Sequence, residues 1–276
     1  MDVSQATRLL KNLDRLPELA GAYRQAGDWL ALSLRYLDIV PHSFPFDVRL
    51  RDGVRFRFEC AEEIKVFWNI FFRSTYHIDP CDRLILDAGA NIGLYAVWAA
   101  RRAPGARIVS LEPWPSTFDR LARHIEMNRL ADRIVAAPLA LAGECGWREM
   151  LGSDKDSCKN RLQLDRERPA SDRRPQDVAL TPGRTLEAVM DQFKIGALDL
   201  LKLDIEGSEY ETLLSTPLPV LRRIGKINLE YHEVPAHLGY SKRQLFAYLA
   251  EAGHAPISVI EDRYRTGVAL FKRSGR

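Results

Sequence analysis

The stretch Leu84-Ile85-Leu86-Asp87-Ala88-Gly89-Ala90-Asn91-Ile92-Gly93 decides the fold of this chain of 276 residues. Its first three residues are apolar and predict a short buried strand, and a helix is predicted to follow over 94–102. In between, Gly89 and Gly93 let the backbone turn sharply and approach a ligand closely. In an open parallel sheet, ligands bind beyond the carboxyl ends of the strands. The loop is therefore the predicted site of a nucleotide-like ligand.

Beyond this loop, short apolar runs alternate with amphipathic segments. Such alternation predicts an α/β fold, a largely parallel sheet with helices on both faces. The predicted strands cover 84–86, 108–111, 134–141, 198–203, 227–231 and 257–260, with 267–271 as an edge strand. The predicted helices cover 94–102, 117–129 and 242–252.

Before the loop, the chain divides into two further segments. Apolar residues recur at helical spacing between Thr7 and Leu37, so we interpret 1–45 as an N-terminal helical cap, with a substrate lid or a homodimer contact as alternatives. Residues 46–80 are predicted to form a β-hairpin turning at Arg51-Asp52-Gly53, followed by a helix. The remainder, 81–276, is the predicted ligand-binding domain.

One stretch, about 143–185, interrupts the alternation because it is polar and irregular. A structureless loop of this length is unusual inside a compact domain. We expect a functional flap with disordered sections. Its arginines, interspersed with acids, are Arg161, Arg166, Arg168, Arg173 and Arg174.

The bulk composition excludes several classes of protein. The formal charge of +3 is small for a dedicated nucleic-acid binder. No uninterrupted apolar run is long enough to span a membrane, and the N-terminus has no secretory signal. The four cysteines, Cys60, Cys81, Cys145 and Cys158, match no zinc or redox spacing. We expect a cytoplasmic protein that binds neither nucleic acid nor membrane.

The ligand of the loop is predicted from two acidic residues. Glu112 ends the second strand, where a carboxylate can accept hydrogen bonds from both ribose hydroxyls. Asp87 stands two residues before Gly89, and an acid there suits a cationic amino-acid group better than the pyrophosphate that a G-x-G-x-x-G loop binds. This favours S-adenosylmethionine over NAD. Asn91 and Tyr95 are further candidate neighbours of this cofactor.

The sequence resembles the FkbM family of methyltransferases. The resemblance is carried by the blocks Leu86–Gly93, Leu111-Glu112-Pro113, Arg184-Thr185-Leu186-Glu187, Leu201–Glu209 and Asn228–His232, which span 84–232. It implies a class I methyltransferase fold, a Rossmann-like sheet of seven strands with the last one antiparallel. It also implies methyl transfer from S-adenosylmethionine, with S-adenosylhomocysteine as product, most typically to a hydroxyl of a sugar or natural product.

Candidate catalytic residues follow the fourth and fifth strands, at Lys202, Asp204, Glu206, Glu230 and His232. Transfer to a hydroxyl requires alignment of the acceptor and removal of its proton. Asp204 is expected beside the acceptor, as base or orienting carboxylate, and it also borders the cofactor. Glu206 could bind the acceptor or fix the turn. His232 titrates near neutral pH, so it could take the proton, or it could only hydrogen-bond the loop.

Two further expectations concern the acceptor. Asp204 with Glu230 could hold a divalent metal such as magnesium, although we do not favour a metal. Glu63, Arg73 and Tyr76 precede the first strand and could line the acceptor pocket together with Glu230 and His232; ordinary packing is the alternative. The expected partner is a small-molecule acceptor.

Other functions stay open at this point. The same acids would serve an N-methyltransferase acting on an amino acid, guanidine or small amine. A non-catalytic module that only binds S-adenosylmethionine is a second alternative. An NAD enzyme is disfavoured by the glycine spacing.

Overall fold

A sheet of seven strands forms the centre of the protein, in a computed structural model that describes residues 16–153, 160–163, 178–261 and 266–274. From one edge to the other, the strands are β5 (Ile134–Ala137), β4 (Arg107–Leu111), β3 (Leu84–Ala88), β10 (Leu198–Leu203), β11 (Ile224–Tyr231), β13 (Gly267–Arg273) and β12 (His254–Glu261). Neighbouring strands are parallel from β5 to β11, and β13 is antiparallel to both of its neighbours. This order confirms the class I methyltransferase fold.

Helices cover both faces of the sheet, as the alternation predicted. They are α4 (Leu94–Arg102), α5 (Pro115–Met127), α6 (Leu186–Gln192), α7 (Glu209–Ser215), α8 (Leu218–Leu221) and α9 (Lys242–Glu251). Successive side chains of a strand point to opposite faces. Accordingly, Ile85 of β3 packs in one apolar core and its neighbour Leu86 packs in the other.

The segment before the sheet packs on the face that Ile85 occupies. It consists of α1 (Leu16–Gln25), α2 (Trp29–Tyr36), the antiparallel hairpin β1 (Phe46–Arg49) and β2 (Arg55–Phe58), and α3 (Ala61–Phe71). The rings of Tyr36 and Trp68 stack with their centroids 4.1 Å apart, which joins α2 to α3. The predicted hairpin is confirmed; the part of the cap before residue 16 lies outside the described residues.

Two strand predictions were wrong. The strand expected over 134–141 ends at Ala137, and Ala140–Leu141 forms β6 in a separate sheet. The strand that begins at Gly267 is not an edge strand, because β12 pairs along its outer side and takes the edge position. The edge strand carries three exposed apolar residues, Ile257, Val259 and Ile260.

The stretch expected to be an irregular flap instead contains a small sheet, with strand order β6, β9 (Val178–Arg184), β7 (Gly146–Leu151) and β8 (Arg161–Leu162). Its inner face is apolar and packs against Trp114 through Ala140, Ala142, Met150 and Leu162. This burial explains why a polar stretch folds: only alternate residues face the core. The arginines at 166, 168, 173 and 174 lie outside the described residues.

No helix in the described part of the chain combines the length and the apolar character needed to cross a membrane.

Candidate functional site

A cavity of about 310 Å³, called the main cavity below, opens at the carboxyl ends of β3, β4, β10 and β11. The parallel strands end at this edge of the sheet, so side chains that follow different strands converge here. Residues predicted from sequence that line it are Tyr76, Gly89, Asn91, Tyr95, Glu112, Lys202, Asp204, Glu206 and Glu230. Predicted residues that lie outside its wall are Glu63, Arg73, Asp87, Gly93 and His232.

The glycine loop forms one end of the main cavity. Gly89 has a φ of +73°, and a Cβ added there would lie 1.8 Å from the carbonyl oxygen of Asp204. Only glycine therefore fits where the loop after β3 meets the loop after β10. Gly93 has a φ of +88° and precedes α4; a Cβ there would lie 2.7 Å from Leu121. Gly93 thus serves packing between α4 and α5, although it does not border the cavity.

Glu112 follows β4 and faces the same end of the main cavity. Its Oε2 accepts a 2.9 Å hydrogen bond from the backbone N–H of Asn91, and Oε1 accepts another, also 2.9 Å, from that of Trp114. Each carboxylate oxygen has two lone pairs, so each can accept one further donor. Burial raises the pKa of Glu112 to about 7, against the opposing effect of the two backbone donors. The two backbone donors hold the carboxylate in place at the wall of the main cavity.

Asp87 does not line the main cavity, and its expected contact with the cofactor, directly or through water, stays a prediction. It is fully buried, and its Oδ1 lies 3.3 Å from Nζ of Lys202. Burial raises the pKa of Asp87, and the Lys202 charge opposes that shift. A buried carboxylate at the strand end needs a compensating charge. The structure gives Asp87 the function of holding Lys202.

The ammonium group of Lys202 connects the loops that follow β3 and β10. Its Nζ donates to the carbonyl oxygen of Gly89 at 2.8 Å and lies 3.5 Å from Oδ2 of Asp204. Burial alone would lower the pKa of Lys202, but the charges of Asp204, Asp87 and Glu230 outweigh it and raise the pKa. Lys202 is therefore a fixed positive charge beside the carboxylates and cannot accept a proton near neutral pH.

Tyr76, Asp204, Glu206 and Glu230 line another part of the main cavity, called the acceptor end below. The hydroxyl of Tyr76 donates to Oε2 of Glu230 at 2.6 Å and lies 3.3 Å from Oδ2 of Asp204. Burial, with the nearby negative charge of Asp204, raises the pKa of Glu230 to about 7. Burial and the same two carboxylates raise the pKa of Tyr76 well above its usual value, so its phenol stays a donor.

His232 lies beside the acceptor end and is held by two glutamates. Its Nδ1 is 3.0 Å from Glu209 Oε1, and its Nε2 is 3.6 Å from Glu206 Oε2. Burial alone would lower the pKa of His232, but the hydrogen bond to Glu209 and the negative charges of Glu209, Glu206 and Asp204 raise it to about 10. The ring is protonated at neutral pH, so the expectation that His232 takes the acceptor's proton does not hold.

Glu206 and Glu209 have different functions in the turn after β10. Glu209 is fully buried and accepts hydrogen bonds from the backbone N–H groups of Ile205 and Gly207, so it fixes the turn. Glu206 has a φ of +54° and lines the main cavity. Burial raises the pKa of Glu206 to about 8, and the His232 charge opposes that shift. Of the two alternatives for Glu206, fixing the turn falls to Glu209, and binding of the acceptor by Glu206 stays a prediction.

The site fits a metal ion poorly. One ligand atom each from Asp204, Glu230 and His232 lie within 4.8 Å of one another, as a metal site would require. However, the imidazole of His232 is protonated. The Tyr76 hydroxyl already donates a hydrogen bond to Glu230, and the Lys202 ammonium lies beside Asp204. A metal ligand must be deprotonated and free of competing cations. The positive charges that a metal would supply are already provided by the chain.

Glu63 and Arg73 do not line the main cavity, contrary to expectation. Glu63 is buried and accepts two hydrogen bonds from the guanidinium of Arg120, at 2.6 and 2.8 Å. This pair joins α3 to α5. Arg73 donates to Glu18 at 2.7 Å, and the same carboxylate accepts from Trp68 at 2.6 Å. Both residues stabilise the packing of the N-terminal segment.

Two groups of residues that line the main cavity were not predicted from the sequence to bind a ligand. Val66, Asn69 and Ile70 come from α3, and Met150, Asn160, Arg161 and Leu162 come from the small sheet. The flap prediction was the only signal for the second group, because a long insertion next to a ligand loop is often functional.

The comparisons with known proteins agree with this geometry. A family model described as "Methyltransferase FkbM domain" matches residues 87–255. The chain is 27% identical over 194 residues to the 31-O-demethyl-FK506 methyltransferase FkbM of Streptomyces tacrolimicus, covering 61% of this chain and 72% of that protein. It is 26% identical over 201 residues to the AMB antimetabolite synthetase AmbE of Pseudomonas aeruginosa, covering 61% of this chain but only 9% of the synthetase.

Among solved structures, the chain is similar to a crystal structure described as methyltransferase FkbM from Methylobacillus flagellatus. The TM-score is 0.48 and the sequence identity is 16%, with 95% of this chain and 60% of that chain covered.

Proposed function

Because the chain belongs to the FkbM methyltransferase family, we propose that it transfers a methyl group from S-adenosylmethionine to a hydroxyl of a sugar, natural product or other small molecule. The observation that carries this proposal is the pairing of two ends in one cavity. The glycine loop and Glu112 line one part, and a half-buried carboxylate pair, Asp204 and Glu230, lines another.

The first end suits the donor. Glu112 can accept from ribose hydroxyls, and the apolar side chains of Pro113, Leu139 and Leu141 line the same cavity and suit a purine ring. Gly89 leaves no room for a Cβ because the Asp204 carbonyl lies against it, and this close contact fixes the loop at the wall of the main cavity. These features support S-adenosylmethionine as the cofactor. When bound, it supplies a methyl group on a positively charged sulfur.

The second end suits removal of a proton from a hydroxyl. A general base works best when its pKa lies near the operating pH. Burial brings the pKa of Glu230 to about 7, and Tyr76 orients the carboxylate. Asp204 lies beside it and is itself held near Lys202, so it can orient the acceptor hydroxyl. We assign Glu230 as the base and Asp204 as the orienting carboxylate.

In the proposed transfer step, one bond forms, one bond breaks and one proton moves. The acceptor oxygen forms the new bond to the methyl carbon, and the sulfur keeps the electron pair of the bond that breaks. The hydroxyl proton passes to the carboxylate of Glu230, which later releases it to water. Lys202 and protonated His232 hold Asp204 and Glu209, respectively, in place during the step.

A relative supports the choice of oxygen as acceptor atom. The Streptomyces protein is named for methylation of an O-demethyl form of FK506, a small molecule.

The test is a screen with isotope-labelled S-adenosylmethionine against a panel of sugars and polyhydroxylated natural products and a matched panel of small amines. We expect label in hydroxyl compounds, and much less label with Glu230→Gln. Label found only in the amines would contradict O-methylation and indicate an N-methyltransferase. Tight binding of S-adenosylhomocysteine without transfer to either panel would indicate a non-catalytic binding module.

A further inference from the structure

A second cavity, called the outer groove below, lies against the far side of Tyr76 and also measures about 310 Å³. It shares Thr75, Tyr76 and Val268 with the wall of the main cavity. The two cavities are therefore adjacent, with the Tyr76 ring between them and its hydroxyl bonded to Glu230 on the inner side.

The outer groove is floored by an uncovered part of the central sheet. Ser258 pairs with Leu270 and Ile260 with Val268 across β12 and β13, and all four side chains line the groove. Val268 and Leu270 are half-buried, and the Ile260 side chain is 69% exposed. An apolar surface that continues directly from a binding cavity is typical of a ligand subsite.

The other wall of the outer groove carries a positive charge. Arg102, in the last turn of α4, is exposed, and its guanidinium carbon lies 5.9 Å from the centre of the Trp98 ring. Within the described residues, no carboxylate forms an ion pair with Arg102, and no acidic side chain lines the groove. His77, the other basic residue of the wall, already contacts Asp79 at 3.0 Å.

We propose that the outer groove is a subsite for the remote part of the acceptor, and that it binds an apolar segment carrying an anionic group, a carboxylate or a phosphate. The inference rests on the proposed function. The reacting hydroxyl lies at the acceptor end beside Glu230, the body of the acceptor passes over Val268, and its anionic group pairs with Arg102. The sign of the charge supports this orientation, because the acceptor end is rich in carboxylates, whereas none of the described residues that line the groove is acidic.

The experiment uses two fluorescent probes on the whole chain with saturating S-adenosylhomocysteine, so that the donor end is occupied. Anilinonaphthalene sulfonate has an apolar body and an anionic group; phenylnaphthylamine has a similar body without the charge. We expect Arg102→Glu to weaken binding of the anionic probe about tenfold, since attraction becomes repulsion, and to leave the neutral probe unchanged. Ser258→Trp fills the groove and should weaken both probes.

The matched control is Arg107→Glu, the same charge change at an exposed arginine outside the groove. An equal loss of affinity for the anionic probe in Arg102→Glu and Arg107→Glu would overturn the proposal. Unchanged affinity for both probes in Ser258→Trp would overturn it as well. Octanoate and octyl phosphate are then compared as competitors, and the stronger one identifies the preferred anionic group. Affinity for S-adenosylhomocysteine, measured on the same samples, reports on the proposed function separately.

Discussion

The hydroxyl of Tyr76 donates a hydrogen bond of 2.6 Å to Oε2 of Glu230, joining residues 154 positions apart. Tyr76 precedes the first strand of the central sheet, and Glu230 lies in β11. The contact therefore links the N-terminal segment to the acceptor end of the main cavity. It also lowers the pKa of a carboxylate that burial otherwise raises.

Replacing Tyr76 with phenylalanine removes this donor. The pKa of Glu230 should rise further, so the rising limb of the pH–rate profile should move to higher pH and turnover at pH 7 should fall. The shift in the limb is the informative readout, because a purely structural defect would lower the rate at every pH. Tyr248→Phe is the control, since its hydroxyl bonds to the carbonyl of Thr216 away from both cavities.

Glu230 itself is expected to control the pH dependence. As a base it must be deprotonated, so the rate should increase as pH rises through about 7, the pKa of Glu230 in the structure. Glu230→Gln should lower turnover about a hundredfold to ten-thousandfold and abolish this limb. Affinity for S-adenosylhomocysteine should stay close to wild type. Turnover of Glu230→Gln equal to wild type would remove Glu230 from the mechanism.

Gly89 is expected to be essential for donor binding. In Gly89→Ala, the new Cβ would approach the Asp204 carbonyl to 1.8 Å, so the two loops must separate. We expect affinity for S-adenosylhomocysteine to be lost. Gly53→Ala is the matched control: it has a φ of +94° with nothing within 4 Å of a Cβ, so it carries backbone strain alone. Comparable affinities of the two variants would contradict the close approach at Gly89.

Glu63 is expected to matter for stability and not for the acceptor. Glu63→Gln removes the buried charge that pairs with Arg120 and leaves only the contact of 3.5 Å to the half-exposed Glu59, which should cost up to about 3–5 kcal/mol of unfolding free energy. Glu261→Gln breaks the exposed pair with Lys242 and should cost about 1 kcal/mol or less. Chemical unfolding of both variants measures the difference. A raised KM for the acceptor in Glu63→Gln, with normal stability, would restore Glu63 as an acceptor residue.

His124 is expected to make the fold less stable in acid. Its Nε2 accepts from the backbone N–H of Arg57, and its Nδ1 bonds to the carbonyl of Ile92. Burial lowers the pKa of His124, so the unfolded chain binds the proton more readily. The stability that neutral His124 contributes is present above its unfolded pKa of about 6.5 and is lost as pH falls below that value. His124→Gln should flatten this part of the curve of unfolding free energy against pH, which chemical unfolding at several pH values measures.

The residues of the site that the sequence predicted are those whose positions follow from the order of strands and helices along the chain. The loop from Asp87 to Gly93 joins a strand to a helix, so its location in a parallel sheet follows from the sequence. Glu112, Asp204 and Glu230 lie at the carboxyl ends of strands in one parallel sheet, and the main cavity brings all three together.

The sequence predictions that were wrong concern contacts between residues that are far apart in the chain. Nothing near Glu63 shows that Arg120 will cover it. The charge state of His232 is set by Glu206 and Glu209, which belong to another loop. The strand β9 contains Pro182 and Gly183, residues that argue against a strand in isolation, and it forms because β7 pairs with it. The homodimer contact through the N-terminal helices stays a prediction.

The central claim, that this loop binds S-adenosylmethionine for methyl transfer, is tested most directly by calorimetric titration of the whole chain with S-adenosylhomocysteine and, separately, with NADH. We predict binding of S-adenosylhomocysteine at one site per chain, strong weakening in Glu112→Gln, and no heat with NADH. Binding of NADH without binding of S-adenosylhomocysteine, or an affinity that Glu112→Gln leaves unchanged, would contradict the account.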